Sequence, residues 1–231
     1  MSHLPQTSEN SHPTHTIEDY LMTMHVMERD HGEIIAARLA ERMNVAPATV
    51  AMTLKRMERD NWITGTGRKA VHLTETGRAA AHSVTRRHML TEWLLASILK
   101  VPLRLIHDEA HGIEHAISQQ LEERMREVLG NPQVCPHGNP FPGSEKAISS
   151  WIPLTNLPVG EQVIIRRIHE YAEDNPDLLN FLIENDILPG VSTQVTNILP
   201  FNQTLTIHVN NREITLGFQV AHFIFAERPT A

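Results

Sequence analysis

The sequence has almost no cysteine and no long apolar run, and each absence restricts what the protein can be. The 231 residues include a single cysteine, Cys135, which excludes a disulfide within the chain and favours a reducing compartment such as the cytoplasm. No apolar run approaches the roughly 18–20 residues that a membrane-spanning helix needs, so no membrane partner is expected. The start, MSHLPQTSENSHPTHT, has neither a basic nor an apolar stretch, which argues against a signal peptide and favours a flexible tail over residues 1–15.

What the chain does contain is a basic segment inside an acidic protein. The formal net charge is −7, yet residues 29–87 carry 11 Lys/Arg against 6 Asp/Glu, whereas residues 88–231 carry 9 against 17. A local excess of positive charge is the electrostatic footprint of nucleic-acid binding. Hydrophobic residues make up 41% of the chain, which predicts a globular protein of two or three domains.

The basic segment has the pattern of a winged helix-turn-helix. Apolar spacing predicts helices over 16–29, 33–43 and 46–59, and residues 62–64 and 71–73 are typical of a two-stranded hairpin around a Gly-rich turn. In such a domain the third helix enters the major groove of double-stranded DNA and the hairpin reaches the adjacent backbone. The residues available for DNA contact are Ala48, Thr49, Met52, Thr53, Lys55, Arg56 and Arg59 on the helix, and Arg68 and Lys69 in the turn. A generic three-helix domain is the alternative, but the charge coincides with the third helix and the hairpin.

Beyond this segment the pattern changes twice. A helix is predicted to about Leu99 and another over 103–129, after which the Pro- and Gly-rich residues 135–143 end the helical region. From residue 152 onwards alternating apolar residues predict a small β domain that contains one helix, over about 177–185. The expected fold class is therefore α+β.

Residues that can bind metal repeat at one-face helical spacing in the middle of the chain. His88 and Glu92 are four apart, and His107, His111 and His115 are spaced by four, with Glu114 beside the last. Side chains at this spacing share a helix face and can share an ion. Residues 111–115 also spell H-x-x-E-H, an inverted zinc-peptidase motif in which Glu114 would activate a zinc-bound water. A peptidase would leave the basic segment without a task, so a metal site without catalytic residues is expected.

Six short motifs in order resemble the diphtheria-toxin-repressor-like family of metal-dependent transcriptional regulators. They are T-I-E-D-Y-L (16–21), L-x-R-M-E-R-D (54–60), L-T-E-T-G-R (73–78), R-H-x-L-x-E-x-L-L (87–95), E-A-x-G-I-E-H (109–115) and P-H-G-N-P-F-P-G (136–143). The resemblance covers residues 16–231. It implies a winged helix-turn-helix over 16–82, a helical dimerisation and metal-binding domain over 83–147, and an SH3-like (FeoA-like) small β-barrel over 152–231.

The resemblance also implies two metal sites in each chain of a homodimer. By position, the primary site would take Asp19, His111, Glu114, His115 and Cys135, and the ancillary site His88, Glu92, His107, Glu170 and Glu173. The implied function is metal-dependent repression of metal-uptake genes at a pseudo-palindromic DNA operator. A winged-helix regulator that responds to a small organic effector is the remaining alternative.

The chain departs from the family pattern at ligand positions that influence which metal binds. Iron-responsive members tend to have methionine in place of Asp19 and cysteine in place of His111. The oxygen ligand of Asp19 favours Mn²⁺, whereas His111 and Cys135 favour Fe²⁺, Co²⁺ or Zn²⁺. Mn²⁺ is therefore the expected effector, with Fe²⁺ as the alternative and Zn²⁺ or Co²⁺ as substitutes in vitro. The glutamine that helps some members read bases is replaced by Met52, so the operator sequence does not transfer.

Overall fold

Three helices and a hairpin make up the first part of the chain. The computed structural model describes residues 12–67 and 70–229, so the predicted tail up to residue 11 and the turn residues Arg68 and Lys69 lie outside it. The elements are α1 (His15–His31), α2 (Ala36–Arg42), α3 (Pro47–Arg59), β1 (Ile63–Thr64) and β2 (His72–Leu73). The two strands pair antiparallel. The winged helix-turn-helix pattern that the sequence predicts is thus confirmed.

The ends of these helices follow from local chemistry. Gly32 ends α1 in the left-handed conformation with φ of 72°, and its amide donates to Glu28 O. Pro47 opens α3 at the first turn, where its missing N–H is not needed. The buried faces of the three helices share one core with the hairpin, in which Leu21, Met24 and Met57 are fully buried.

The hairpin is fixed at both of its ends. Glu58 on α3 accepts from the amides of Gly65 (2.9 Å) and Thr66 (3.1 Å), which ties the turn to the third helix. At the other end Thr74 caps the next helix, because its hydroxyl accepts from the amide of Gly77 at 2.9 Å. Gly77 has no room for a side chain, since a Cβ there would lie 1.9 Å from the carbonyl oxygen of Trp62.

The fourth helix leads into the second unit of the chain. The two compact units are Met1–Thr85 and Arg86–Ala231, and α4 (Glu75–Trp93) crosses the division. A π-helical turn, Leu94–Ile98, extends α4 to the end that the sequence predicts. Among the helices that the structure describes, none combines the length and the apolar content that crossing a bilayer demands.

The single helix predicted over 103–129 is wrong, because it is divided into three pieces. Helix α5 (Leu103–Ile113) ends one residue before Glu114, a 3-10 turn covers Glu114–Ala116, and α6 (Gln119–Val128) begins anew. Ser118 caps α6 by accepting from the amide of Leu121 at 3.3 Å. The H-x-x-E-H residues therefore lie across a helix end rather than on one continuous helix.

The rest of the second unit is a six-stranded antiparallel sheet with three short helices. The strands are β3 (Ile152–Pro153), β4 (Gln162–Ile168), β5 (Ser192–Leu199), β6 (Thr204–Val209), β7 (Arg212–Gly217) and β8 (Ile224–Glu227), in the order β3-β8-β4-β5-β6-β7. The helices are α7 (Glu170–Glu173), α8 (Pro176–Glu184) and α9 (Phe218–His222). The predicted β domain and its helix over about 177–185 are confirmed, the latter as α8, whereas the sequence prediction misses the short helices α7 and α9. Helix α7 follows β4 directly, and Glu173 on α7 lies close to His107 of α5.

Candidate metal centres and DNA-binding surface

The first candidate metal centre, called the 111–115 set, consists of His111, Glu114 and His115. Their ligand atoms all lie within 4.8 Å of one another. Glu114 is the shared member, since its Oε1 is 3.3 Å from His111 Nδ1 and 3.6 Å from His115 Nε2. Although Glu114 is completely buried, its Oε1 accepts no hydrogen bond from the described residues. A buried carboxylate oxygen aimed at two imidazoles fits a divalent cation.

The surroundings of Glu114 favour its ionised form, which is the form that binds metal. Burial opposes its ionisation, but the neighbouring imidazoles of His111 and His88 outweigh burial and lower its pKa to about 2. The second oxygen, Oε2, accepts from His88 Nδ1 at 2.5 Å. Glu114 is therefore an anion at neutral pH, oriented by His88 on one side and free to bind metal on the other.

The second candidate centre is larger and more deeply buried. Two carboxylates, Glu92 on α4 and Glu173 on α7, face imidazoles from α4, α5 and the Pro- and Gly-rich loop. Glu92 Oε1 lies 3.3 Å from His88 Nε2, 3.6 Å from His107 Nδ1 and 3.3 Å from His137 Nδ1, and Glu173 Oε2 lies 3.4 Å from Nδ1 of both His107 and His137. These five residues are called the carboxylate–histidine cluster.

The cluster contains buried polar atoms that the protein itself does not satisfy. Among the described residues, both oxygens of Glu92, both ring nitrogens of His137 and Nδ1 of His107 make no hydrogen bond. Leaving such groups unsatisfied costs about 1–3 kcal/mol each, and native interiors avoid it. Oxygen and nitrogen donors converging from four segments fit a divalent cation, so the residues suit the metal that the sequence predicts.

The acidic neighbours in the cluster favour the protonated form of His88. Burial opposes the charged form of His88, but Glu92 and Glu114 outweigh burial and raise its pKa to about 9. Burial likewise opposes ionisation of Glu92, yet His137 and His88 hold its pKa well below the ordinary value. A cation that binds here must therefore displace protons from histidine.

Cys135 lies with the second centre, and not with the 111–115 set to which the sequence resemblance assigns it. Its sulfur is grouped with Glu92 and His137, with ligand atoms within 4.8 Å. Burial, together with the charges of Glu92 and Glu173, raises the pKa of the thiol well above its ordinary value. The thiol would therefore be deprotonated only if a bound cation displaced its proton.

Two further ancillary predictions have different outcomes. Glu173 lies in the cluster, whereas the structure pairs Glu170 with Arg167 Nη2 at 3.0 Å. The sequence interpretation missed His137, although it stands two residues after Cys135 in the P-H-G-N-P motif. A Cys-x-His spacing in a tight turn is the signal that could have identified it, since Gly138 N donates to Cys135 O at 2.9 Å.

The third helix presents the surface expected for DNA. Six of the predicted contact residues on α3 are exposed: Ala48, Thr49, Met52, Lys55, Arg56 and Arg59. Thr53 is buried beside Leu54, so the structure does not place it on this surface. Arg59 forms a bidentate ion pair with Asp60, at 2.8 and 3.0 Å. A DNA phosphate that binds Arg59 would have to displace the Asp60 carboxylate.

Comparison with known proteins follows the same three parts. Residues 12–71 match the model for the iron-dependent repressor N-terminal DNA-binding domain, and residues 74–143 match the iron-dependent repressor metal-binding and dimerisation domain. Residues 152–228 match the FeoA domain. Every centre described above thus lies in a segment with a matching family model.

Whole-chain relatives agree with the domain matches. The iron-dependent repressor IdeR of Mycobacterium leprae is 33% identical over 224 residues, covering 92% of this chain and 97% of its own. The diphtheria toxin repressor of Corynebacterium diphtheriae is 31% identical, covering 92% and 96%. A solved manganese-dependent transcriptional repressor in complex with manganese superposes with a TM-score of 0.80 at 26% identity, covering 92% and 100%. The chain belongs to the diphtheria-toxin-repressor-like family of metal-dependent transcriptional regulators.

Proposed function

We propose that this DNA-binding repressor is activated by Mn²⁺ and controls genes of metal uptake. The observation that carries the proposal is the carboxylate–histidine cluster, in which both oxygens of Glu92, both ring nitrogens of His137 and Nδ1 of His107 find no hydrogen-bond partner among the described residues. The carboxylates of Glu92, Glu114 and Glu173 favour a hard cation such as Mn²⁺, while the imidazoles and Cys135 leave Fe²⁺ as the alternative. A relative is named for manganese and another for iron, which supports either ion.

The ligand sets that we propose follow the two centres. The 111–115 set forms the primary site and takes Asp19 of α1 as a further ligand, an assignment that rests on the sequence resemblance. The ancillary site takes His88, Glu92, His107 and Glu173, and we add His137 and Cys135 because their ligand atoms lie within 4.8 Å of Glu92. When bound, the metal supplies positive charge that holds carboxylates from separate segments together.

The proposed mechanism is a change in the freedom of the DNA-binding domain. An Asp19 carboxylate held by the primary site would restrict α1, and with it α3. In a homodimer this would set the distance between the two recognition helices. That distance must match the separation of the two DNA half-sites, which is about 34–36 Å or a multiple of it. A shift from mostly incompetent to mostly competent protein needs about 5.5 kcal/mol of differential affinity, which a multidentate site can supply.

Exposed apolar residues support the homodimer and the pseudo-palindromic operator that follows from it. They are concentrated on the helices of the metal-binding domain, where a solvated surface would be polar. The set comprises Ile98, Leu99, Leu105, Ile113, Leu121 and Val128, all at least 41% exposed. Burial against a second copy of the chain would remove this surface from water.

The peptidase alternative is not favoured by the geometry of Glu114. A general base must reach a metal-bound water and a substrate, but Glu114 is completely buried and its Oε2 accepts from His88 at 2.5 Å. Its Oε1 faces His111 and His115 as a ligand would. The small-effector alternative is not supported either, because the unsatisfied buried atoms are of the kinds that bind metal ions.

A gel shift with Mn²⁺ and with chelator tests the function. Wild type should bind operator DNA only with Mn²⁺. Asp19→Ala should remain a folded dimer but fail to bind operator DNA when Mn²⁺ is added, while the matched change Asp177→Ala on α8 should behave as wild type. Equal affinity of apo and loaded wild type for the same operator would refute the metal switch, and an unchanged Asp19→Ala would refute that ligand alone.

A further inference from the structure

The Pro- and Gly-rich loop contains a buried asparagine that the proposed metal sites do not use. Asn139 is completely buried between the helices of the metal-binding domain and the β domain. Its amide nitrogen donates to the carbonyl oxygen of Ile168 at 2.8 Å and to Glu173 Oε1, and its amide oxygen accepts from Arg167 Nε at 2.5 Å. All these partners belong to the second unit, so the network lies within one compact body.

The hydrogen bond from Asn139 decides which oxygen of Glu173 faces the cluster. Glu173 is buried, and its Oε1 is held by the Asn139 amide. The other oxygen, Oε2, is then directed to Nδ1 of His107 and of His137, 3.4 Å from each. A carboxylate without this donor could rotate away from the imidazoles, and a ligand that is free to rotate binds metal more weakly.

Arg167 fixes the orientation of the Asn139 amide. A guanidinium can only donate, so the oxygen of Asn139 must face it and the nitrogen must face Glu173. Arg167 is itself held by Glu170 at 3.0 Å, and its guanidinium carbon lies 4.8 Å from the ring centroid of Phe225. The chain of contacts thus runs from Glu170 through Arg167 and Asn139 to Glu173.

The loop cannot move away from this network without breaking its own packing. His137 O accepts from the amide of Ile168 at 2.8 Å. At Gly138, with φ of +92°, a Cβ would lie 2.0 Å from the carbonyl oxygen of Arg166, so the loop backbone touches β4 directly. Asn139 is therefore presented to Glu173 from a rigid support.

We propose that Asn139 is a positioning residue for the second metal centre, which orients Glu173 towards the ion while Arg167 and Glu170 orient Asn139. This inference rests on the proposed function, because it assumes that the carboxylate–histidine cluster holds a divalent cation. It gives Glu170 a role in the support of a ligand, in place of the direct ligation that the sequence resemblance implies.

The test measures Mn²⁺ binding to the full chain by equilibrium dialysis. His111→Ala and His115→Ala are introduced together, so that only the cluster can take up an ion. In this background Asn139→Ala should weaken Mn²⁺ binding by about 10–100-fold, as expected when a residue that orients a ligand is lost. Asn202→Ala, an exposed asparagine next to β6, is the matched control and should leave the affinity unchanged.

A double-mutant cycle separates positioning from a general structural role. In a Glu173→Ala background Asn139 has no ligand to orient, so adding Asn139→Ala should change Mn²⁺ affinity by about twofold or less. If the loss is as large with Glu173 absent as with Glu173 present, Asn139 merely supports the loop and the proposal is overturned. Unchanged affinity of Asn139→Ala would overturn it equally.

Failure of the proposed function would look different from failure of this inference. If the background protein with Asn139 and Glu173 intact binds no Mn²⁺, the second metal centre is wrong and the positioning role falls with it. If that protein binds one ion and only Asn139→Ala behaves unexpectedly, the metal centre stands and the positioning role alone is refuted. Thermal unfolding of each variant in chelator verifies that the chains are folded.

Discussion

Raising the pH should destabilise the metal-free protein, because His88 binds its proton more tightly when folded. Glu92 and Glu114 lie 3.3 and 2.5 Å from its two ring nitrogens, and despite burial they raise its pKa from 6.5 to about 9. At 1.36 kcal/mol for each pKa unit, protonated His88 contributes about 3 kcal/mol to the free energy of unfolding. The side chain is only 7% exposed, so solvent screening reduces this value little.

The sign of the effect defines the pH window. Because the folded-state pKa lies above the ordinary value, the contribution is complete below about pH 6.5 and is lost as the pH rises through 9. The pKa values of His107 and His137 are also raised against burial by their acidic neighbours, so their contributions fall in the same direction. The apo protein should lose stability from pH 6.5 to 9 by at least the amount due to His88.

The assay is denaturant unfolding in chelator at several pH values between 6 and 9, for wild type and for His88→Gln. The difference in unfolding free energy between the two should shrink by about 3 kcal/mol across this range. The matched control His72→Gln, at an exposed position of β2, should keep a constant difference from wild type. A wild-type stability that is flat from pH 6.5 to 9 would refute the raised pKa of His88 in the folded protein.

Four other outcomes follow from the same structure. Glu92→Gln removes the carboxylate that contacts three imidazoles, so one Mn²⁺ per chain should be lost in equilibrium dialysis while the 111–115 set still loads. Mn²⁺ affinity measured by calorimetry should fall from pH 8 to pH 6, because protons compete for the imidazoles. Gly77→Ala should lower the unfolding free energy by about 2 kcal/mol or more, since its Cβ would overlap the Trp62 carbonyl. Leu99→Asp, at a residue 61% exposed on the dimerisation domain, should shift the chain towards monomer in size-exclusion chromatography with light scattering.

Matched controls make these outcomes specific. Glu123→Gln on the exposed side of α6 should keep both ions, and Phe201→Asp, at a residue 87% exposed in the β domain, should keep the dimer. Gly217→Ala should be nearly neutral, because φ is −64° there and no atom lies within 4 Å of the new Cβ. Two bound ions in Glu92→Gln would contradict the argument for Glu92, and a pH-independent Mn²⁺ affinity would contradict the argument for proton competition. Normal stability of Gly77→Ala would contradict the steric argument, and an unchanged dimer in Leu99→Asp would contradict the argument for the dimer surface.

The local elements were predictable wherever one short segment decides them. Pro47 opens α3 and Thr74 caps α4, as the residues alone indicate. The helix predicted over 103–129 failed because periodicity is insensitive to a short break, and a 3-10 turn at Glu114–Ala116 keeps ligand-type residues close while ending the helix. The short helix α7 was missed since four residues carry no periodic pattern.

The residues alone are enough to predict helices that carry histidines and carboxylates at one-face spacing, beside a basic winged helix, because helical geometry relates residues three and four apart. Which ligands come from distant segments is visible only in the folded chain. It places Cys135 and His137 with Glu92, and it pairs Glu170 with Arg167. These partners come from a loop, a four-residue helix and a strand, and their meeting depends on chain packing that no local periodicity encodes.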